Sequence, residues 1–337
     1  MFLIIIFVNI LFSLLSPSIV VQPKLLLTSE YLITESKNDV KMLAVGDIML
    51  DRYVETIIKT NGKDYLFAKV KDLFAKQDII MGNLEGPVIT ERKQAHDNSM
   101  NFSFDPNLMP FLKEQGFTIL NLANNHTYDH GKDSFVETEQ HLKEANLIPL
   151  GNPKQIDLDY TNFHIVNGNK VWFIGFNATA QFDQAKAIKL LTELKNLNPD
   201  YLIVTIHWGD EYALHPNQLQ KKLAHQFIDA GADVIIGHHP HVVQSIEKYK
   251  DKLIFYSLGN FIFDQYFSSP TQELLAVSAH FSGQTITYQL IPLKSIKSQP
   301  QPMDADESTQ FLSNLAKRSS PELYSDIASG AIVEPKL

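Results

Sequence analysis

The chain has 337 residues, 44% of them hydrophobic and 20% charged, enough for a sizeable core in a single large α/β unit. Its formal net charge of −9 argues against attraction to nucleic acid or to an anionic membrane face by bulk charge, so a polyanion site needs local cations, which a metal supplies. The absence of cysteine excludes thiolate zinc sites, cysteine nucleophiles and disulfides.

Residues Phe2 to Leu15 are nearly all apolar, Ile19 to Val21 continue the pattern, and no charged side chain precedes Lys24. Such a run fits a signal peptide or membrane anchor over 1–21, with Ser16 and Ser18 as small residues of a cleavage site. It predicts a membrane-anchored or secreted protein whose body lies outside the cytoplasm. The polar stretch 22–40 reads as a linker, 41–293 as the main domain, and 294–337 as a connection followed by a C-terminal helical segment.

Within the main domain, Lys41–Val45 reads as a strand ending in Gly46-Asp47. Asp64–Gln77 has helical spacing through Phe67, Val70, Leu73 and Phe74. Asp78–Met81 is a short strand before Gly82-Asn83-Leu84-Glu85-Gly86. A helix over Asp105–Gln115, opened by Asp105 and Pro106, precedes a strand at Phe117–Leu122 that ends in Ala123-Asn124-Asn125-His126. Lys132–Ala145 is helical and Ile148–Leu150 extended. Phe163–Val166 and Lys170–Phe176 flank Asn167-Gly168-Asn169, a hairpin signal. Tyr201–Ile206 is a strand ending in His207-Trp208-Gly209, and a helix over Asn217–Ala230 closes on Gly231. Asp233–Ile236 is a strand ending in Gly237-His238-His239-Pro240-His241. Val242–Tyr249, Leu253–Tyr256, Leu274–Phe281 and Thr285–Ile291 read as further strands, 294–308 as a connection and Thr309–Lys317 as a helix. Strand–loop–helix repeats followed by a β-rich half predict an α/β sandwich with mixed sheets.

The metal-competent side chains fall in the loops that follow apolar strands: Asp47; Asn83 and Glu85; Asn125 and His126; His207; His239 and His241. Ligands of open α/β sheets bind outside the carboxyl ends of the strands, so these loops predict one pocket lined with oxygen and nitrogen. Imidazole with carboxylate suits manganese, zinc or iron, and oxygen-rich sites lean toward manganese or magnesium. Taken singly, a Gly-Asp turn, a loop Asn or a strand-end His is commonplace. The run His238, His239, His241 directly after an apolar strand is hard to explain by packing. In an extended segment His239 and His241 share one face, which leaves His238 pointing away. Asp129 is placed to orient His126, since ligand histidines need a carboxylate or carbonyl partner.

The ordered motifs Ala44-Val45-Gly46-Asp47-Ile48-Met49, Gly82-Asn83-Leu84-Glu85, Ala123-Asn124-Asn125-His126-Thr127, His207-Trp208-Gly209-Asp210-Glu211-Tyr212, Gly237-His238-His239-Pro240-His241-Val242 and Tyr256-Ser257-Leu258-Gly259-Asn260-Phe261 resemble those of the bacterial capsule-synthesis family CapA, over Lys41 to Pro292. The resemblance implies a role in making or exporting poly-γ-glutamate, with that acidic polymer and other membrane capsule-synthesis subunits as partners and no nucleic acid. The family in turn resembles calcineurin-like metallophosphoesterases, which implies a four-layer α/β sandwich and a two-metal site. Asp47, Asn125, His126, His207, His239 and His241 match ligand positions of that site. Met49 stands where those enzymes have a His, and Asn83, with Glu85 two residues on, stands where they have a bridging Asp. A neutral Asn bridges two cations poorly. Two functions stay open: a metal-dependent hydrolase with His126 or Glu211 as acid or base, and a non-catalytic subunit that grips the polymer's carboxylates. A scaffold with a hydrogen-bonded network and no metal is a third.

Overall fold

The computed structural model describes residues 39–92, 99–283 and 285–335. The leader expected over 1–21 and nearly all of the linker lie outside them. The first part alternates strand and helix: β1 (Val40–Ile48), α1 (Arg52–Asn61), α2 (Lys71–Phe74), β2 (Ile79–Leu84), α3 (Leu108–Glu114), β3 (Ile119–Asn121), α4 (Lys132–Glu144) and β4 (Ile148–Leu150). A hairpin of β5 (Thr161–Val166) and β6 (Asn169–Asn177) leads to α5 (Gln184–Lys195), β7 (Tyr201–His207), α6 (Gln218–Asp229) and β8 (Val234–His238). The remainder holds β9 (Ile246–Tyr249), β10 (Lys252–Phe255), β11 (Asn260–Ile262), β12 (Glu273–Ser282), β13 (Thr285–Ile296), β14 (Gln299–Pro302), α7 (Ala305–Arg318), α8 (Tyr324–Ser329) and β15 (Ala331–Pro335).

The strands form two mixed sheets. One runs β14-β13-β12-β1-β2-β3-β4, with β11 on β1 and β15 on β13; the other runs β5-β6-β7-β8-β10-β9. Alternation along β1 sends Leu43 and Val45 into a core with Phe67, Phe111 and Phe135 from the helical side, and Met42 and Ala44 into a core with Phe173, Ile203 and Val234 of the other sheet. The second sheet turns Phe176, Leu202 and Val204 outward onto Leu191 and Phe227 of α5 and α6. Both faces of the central strands are therefore covered, which is why they read as unbroken apolar runs. The expected α/β sandwich with mixed sheets is what the chain adopts. Among the described residues no helix is long and apolar enough to cross a membrane.

Several elements differ from expectation. Asp64–Gln77 is not one helix. Lys63–Phe67 is a 3-10 turn, Val70 has a non-helical φ of −124°, and the break lets Phe67 meet Phe74 edge to face at 5.6 Å. Helices α1 and α5 were not anticipated, although Asp51 and Asp183 cap them. Val242–Ser245 is not a full strand: its backbone makes an isolated bridge, Val243 to Leu258, and Gln244 N–H donates to the Ser257 carbonyl, before β9 begins at Ile246. The stretch 294–308 is not a loose connection. It completes β13, forms β14 and opens α7, and Pro300 and Pro302 are tolerated because β14 pairs only with β13. Strand β15 then pairs antiparallel with β13, where only a helix was expected.

Candidate metal centre

The candidate ligands converge because the sheets bring the carboxyl ends of β1, β2, β7 and β8 to one rim. Two glycines permit the approach. A Cβ on Gly46 would lie 1.9 Å from the Gly259 carbonyl oxygen, and one on Gly237 would lie 2.0 Å from that of Tyr256, so neither position accepts a side chain. Each stands one residue before a polar residue of the rim, Asp47 and His238.

Asp47, Glu85 and His207 are fully buried, and His239 and His241 nearly so. Ligand atoms of Asp47, Glu85 and His207 lie within 4.8 Å of one another, as do those of Glu85, His239 and His241. Glu85 belongs to both groups. Its Oε1 is 3.8 Å from His207 Nε2 and 3.6 Å from His241 Nε2, yet neither of its oxygens has a hydrogen-bond partner. His207 Nε2 lies 2.8 Å from Asn125 Oδ1 and 3.1 Å from His239 Nδ1. His241 Nδ1 lies 3.4 Å from Asp47 Oδ2 and 2.9 Å from Asn260 Oδ1.

Asn83 sits among these groups without offering an oxygen to them. Its amide nitrogen donates to Asp47 Oδ1 at 2.8 Å and lies 3.1 Å from His207 Nδ1, while its oxygen accepts from Asn121 and Asn124 at 2.8 and 3.2 Å. Its amide nitrogen thus faces Asp47 and His207, and its oxygen faces Asn121 and Asn124. His238 is buried but neither ring nitrogen has a hydrogen-bond partner.

The histidine loop is not extended. His239 and His241 have φ of 96° and 58°, a region costing about 1–3 kcal/mol for a residue with a side chain. The two rings reach the same pocket through this turned backbone and not through strand alternation. Tyr212 and Arg52, also near the pocket, have φ of 64° and 51°. The Arg52 guanidinium pairs with Asp264 and lies 4.9 Å from the Phe102 ring centre and 5.6 Å from that of Phe263. Those rings in turn sit 4.4 Å from His126 and 4.8 Å from His241.

Burial sets the electrostatics. It pushes the Glu85 carboxyl well above its usual range, and the Asp47 and Glu211 charges add to this against the opposing pull of His241. Burial acts most strongly on Asp47, against its ionised form, but the hydrogen bonds from His241 and Asn83 and the nearby His238 and His241 rings together outweigh it and keep that carboxyl low. Burial and the neighbouring histidines hold His207 well below the usual imidazole value, and burial with His241 brings His239 down to about 4. Burial opposes a charge on His241, but Glu85 and Asp47 outweigh it and raise the ring to about 9. Neutral His207 and His239 are in the form a metal requires, while a metal would have to displace the protons that these shifts favour on Glu85 and His241.

His126 adjoins this cluster. Its Nδ1 lies 3.0 Å from Asp129 Oδ2, and the same oxygen accepts from the Phe102 backbone N–H at 2.8 Å. Glu211 is exposed; its charge reaches Glu85, His239 and His241, but among the described contacts it touches none of them. Sequence reasoning passed over Asn121, Arg52 and Asp264, and it quoted Asn260 in a motif without placing it in the pocket. Only Asn260 carried a usable signal, the Gly259-Asn260 pair ending another apolar run.

Comparison with known proteins places the chain in a family. The family described as bacterial capsule synthesis protein PGA_cap matches residues 41–265. The capsule biosynthesis protein CapA of Bacillus anthracis is 37% identical over 284 residues, covering 78% of this chain and 69% of that one. The PGA biosynthesis protein CapA of Bacillus subtilis is 34% identical over 285 residues, covering 79% and 74%. A probable polyglutamine synthesis accessory protein of Mycobacterium tuberculosis is 25% identical over 280 residues, covering 72% of each. With that match spanning the whole rim of candidate ligands, the chain belongs to the bacterial capsule synthesis family PGA_cap, to which it is joined by its CapA relatives.

Proposed function

We propose that this protein serves poly-γ-glutamate capsule synthesis as a metal-dependent hydrolase of metallophosphatase type, held outside the cytoplasm by its apolar N-terminal segment beside other membrane subunits of the capsule machinery. The observation that carries the reading is Glu85: a carboxylate at 0% exposure, hydrogen-bonded by nothing, shared between two groups of ligand atoms. Burial works against charge on Glu85, whose neighbours here are the His241 and His207 rings at 3.6 and 3.8 Å without a hydrogen bond, and a divalent cation is a partner that this donor set fits. Asp47, Glu85, His207, His239 and His241 would hold it, with Asn125 reaching the same space, and Glu85 takes the shared position that Asn83 cannot fill. The mixture of imidazole and carboxylate favours manganese, zinc or iron over magnesium.

A divalent cation there supplies Lewis-acid polarisation of a carbonyl or phosphoryl oxygen. The protein's own residues do the rest. Asp129 holds the His126 ring through Nδ1, leaving Nε2 to exchange a proton with a reacting group. Asn83 fixes Asp47 and His207, and the aromatic wall of Phe102 and Phe263 keeps water from the far side of His126 and His241. Glu211, at the exposed side, is the second proton carrier.

Purified protein loaded in turn with Mn²⁺, Zn²⁺, Fe²⁺ and Mg²⁺ tests this by turnover of γ-linked polyglutamate and of a phosphodiester. Turnover that needs the metal and His126 supports it. Polymer binding with metal bound but no turnover of either substrate would favour the gripping subunit instead.

A further inference from the structure

A groove of about 890 Å³ opens beside the cluster. Its walls are the loops that follow β3, β4 and β6, so it lies on the same strand-end rim as the candidate ligands. It reaches them at Asn125, which lines the groove and whose Oδ1 is 2.8 Å from His207 Nε2. The volume falls in the upper part of the range for ligand clefts, roughly 300–1,000 Å³.

The lining has a definite chemistry. Asn152 and Asn177 build it: Asn152 Oδ1 accepts the backbone N–H groups of Lys154 and Gln155 at 2.9 Å each, and Asn177 donates to the Pro153 carbonyl at 3.3 Å. These bonds tie the loop after β4 to the end of β6. On that frame the exposed side chains are Lys154, Gln155, Gln181 and Lys186, with Asp157 and Asp183. Asp183 is committed to capping α5, accepting from the Lys186 N–H at 3.0 Å. Asp157 faces Lys186 at 3.9 Å, an exposed pair that contributes little and exchanges readily. Lys154 lies 5.2 Å from the Tyr128 ring centre. Carboxamides both donate and accept, as amide linkages do, and two exchangeable ammonium groups suit carboxylates.

We propose that this groove seats an extended acidic polyamide chain, with Lys154 and Lys186 holding its carboxylates, Gln155 and Gln181 meeting its amides, and Asn125 marking where the chain enters the metal cluster. The assignment rests on the polymer reading above and adds the place and direction of binding.

The test is fluorescence anisotropy with a dye-labelled γ-linked oligoglutamate, in Mn²⁺ and in EDTA. The proteins are the wild type, the double variant Lys154→Glu/Lys186→Glu, and Gln181→Lys. The double variant is expected to bind about tenfold more weakly in both buffers, with unchanged Tm and metal content, and Gln181→Lys to bind more tightly. Wild-type affinity in both variants overturns the groove alone. Failure of the wild type to bind the oligomer in either buffer overturns the polymer reading and the groove together. Should the double variant not fold, Gln181→Lys carries the decision by itself.

Discussion

Asn83 donates its amide to Asp47 Oδ1 at 2.8 Å while the same nitrogen lies 3.1 Å from His207 Nδ1. One neutral side chain thus fixes two candidate ligands. Asn83→Asp removes both donated bonds and sets a carboxylate against Asp47. Loss of a buried partner costs about 1–3 kcal/mol, and charge repulsion adds to it. The metal-free variant is expected to melt below wild type, and Mn²⁺ to raise its Tm by more than it raises the wild type's. Calorimetry in EDTA and in Mn²⁺ reads both; equal melting in EDTA would show that Asn83 is not the clamp.

Glu85→Gln keeps the shape of the side chain and removes its charge. Since Glu85 is common to both groups of ligand atoms, the variant is expected to lose nearly all bound metal, as is His239→Ala/His241→Ala. Elemental analysis after gel filtration decides it. Stoichiometric metal in Glu85→Gln would refute the shared-ligand assignment.

His238 separates packing from ligation. It is buried beside the cluster with no hydrogen bond to either ring nitrogen. Replacing an unsatisfied buried polar group by an apolar one of similar size is near neutral. His238→Leu is expected to retain its metal and to change stability by less than about 1 kcal/mol. Loss of metal from this variant alone would place the ligand nitrogen on His238.

A pH effect away from the cluster comes from Glu55, paired with Arg92 at 2.6 Å and Lys59 at 2.9 Å. Burial raises its carboxyl, but Arg92 and Lys59 outweigh this and hold it below the ordinary 4.5. A depressed folded-state value means stability that is fully present above about pH 4.5 and lost as pH falls through the folded value. Urea unfolding of wild type and Glu55→Gln across pH 3–7 should show a gap that is constant above that point and narrows below it. A gap independent of pH would mean that the pair contributes only packing.

The sequence exposes the rim of this site more clearly than its depth. Asp47, Glu85, His207 and His239 each follow an apolar run, and a buried parallel strand announces itself by such a run whatever surrounds it. The turned backbone at His239 and His241 is set by contacts with distant β1 and β11, through Asp47 and Asn260, so no local pattern reveals it. The sequence shows Asn83 only as a neutral residue at a ligand-like position; that its oxygen accepts from Asn121 and Asn124 while its nitrogen faces Asp47 depends on strands far apart in the chain. Helix α5 is a different failure, since Ala187, Leu190, Leu191 and Leu194 carry the helical spacing openly. The break inside 64–77 depends on where the Phe111 and Phe117 rings lie, which periodicity does not encode.

Strand β1 carries Asp47 and lies between β2 on one side, paired with residues 79–84, and β12 and β11 on the other, paired with 277–281 and with Asn260 and Ile262. The nearer neighbour emerges soon after β1 is made; the farther one is separated from it by most of the second sheet. Until β11 and β12 have been made, one edge of β1 stays open, and the pocket lacks Asn260 until β11 is in place. Such a chain keeps a strand edge open until late in its synthesis, and an unpaired edge exposed that long invites pairing with other chains.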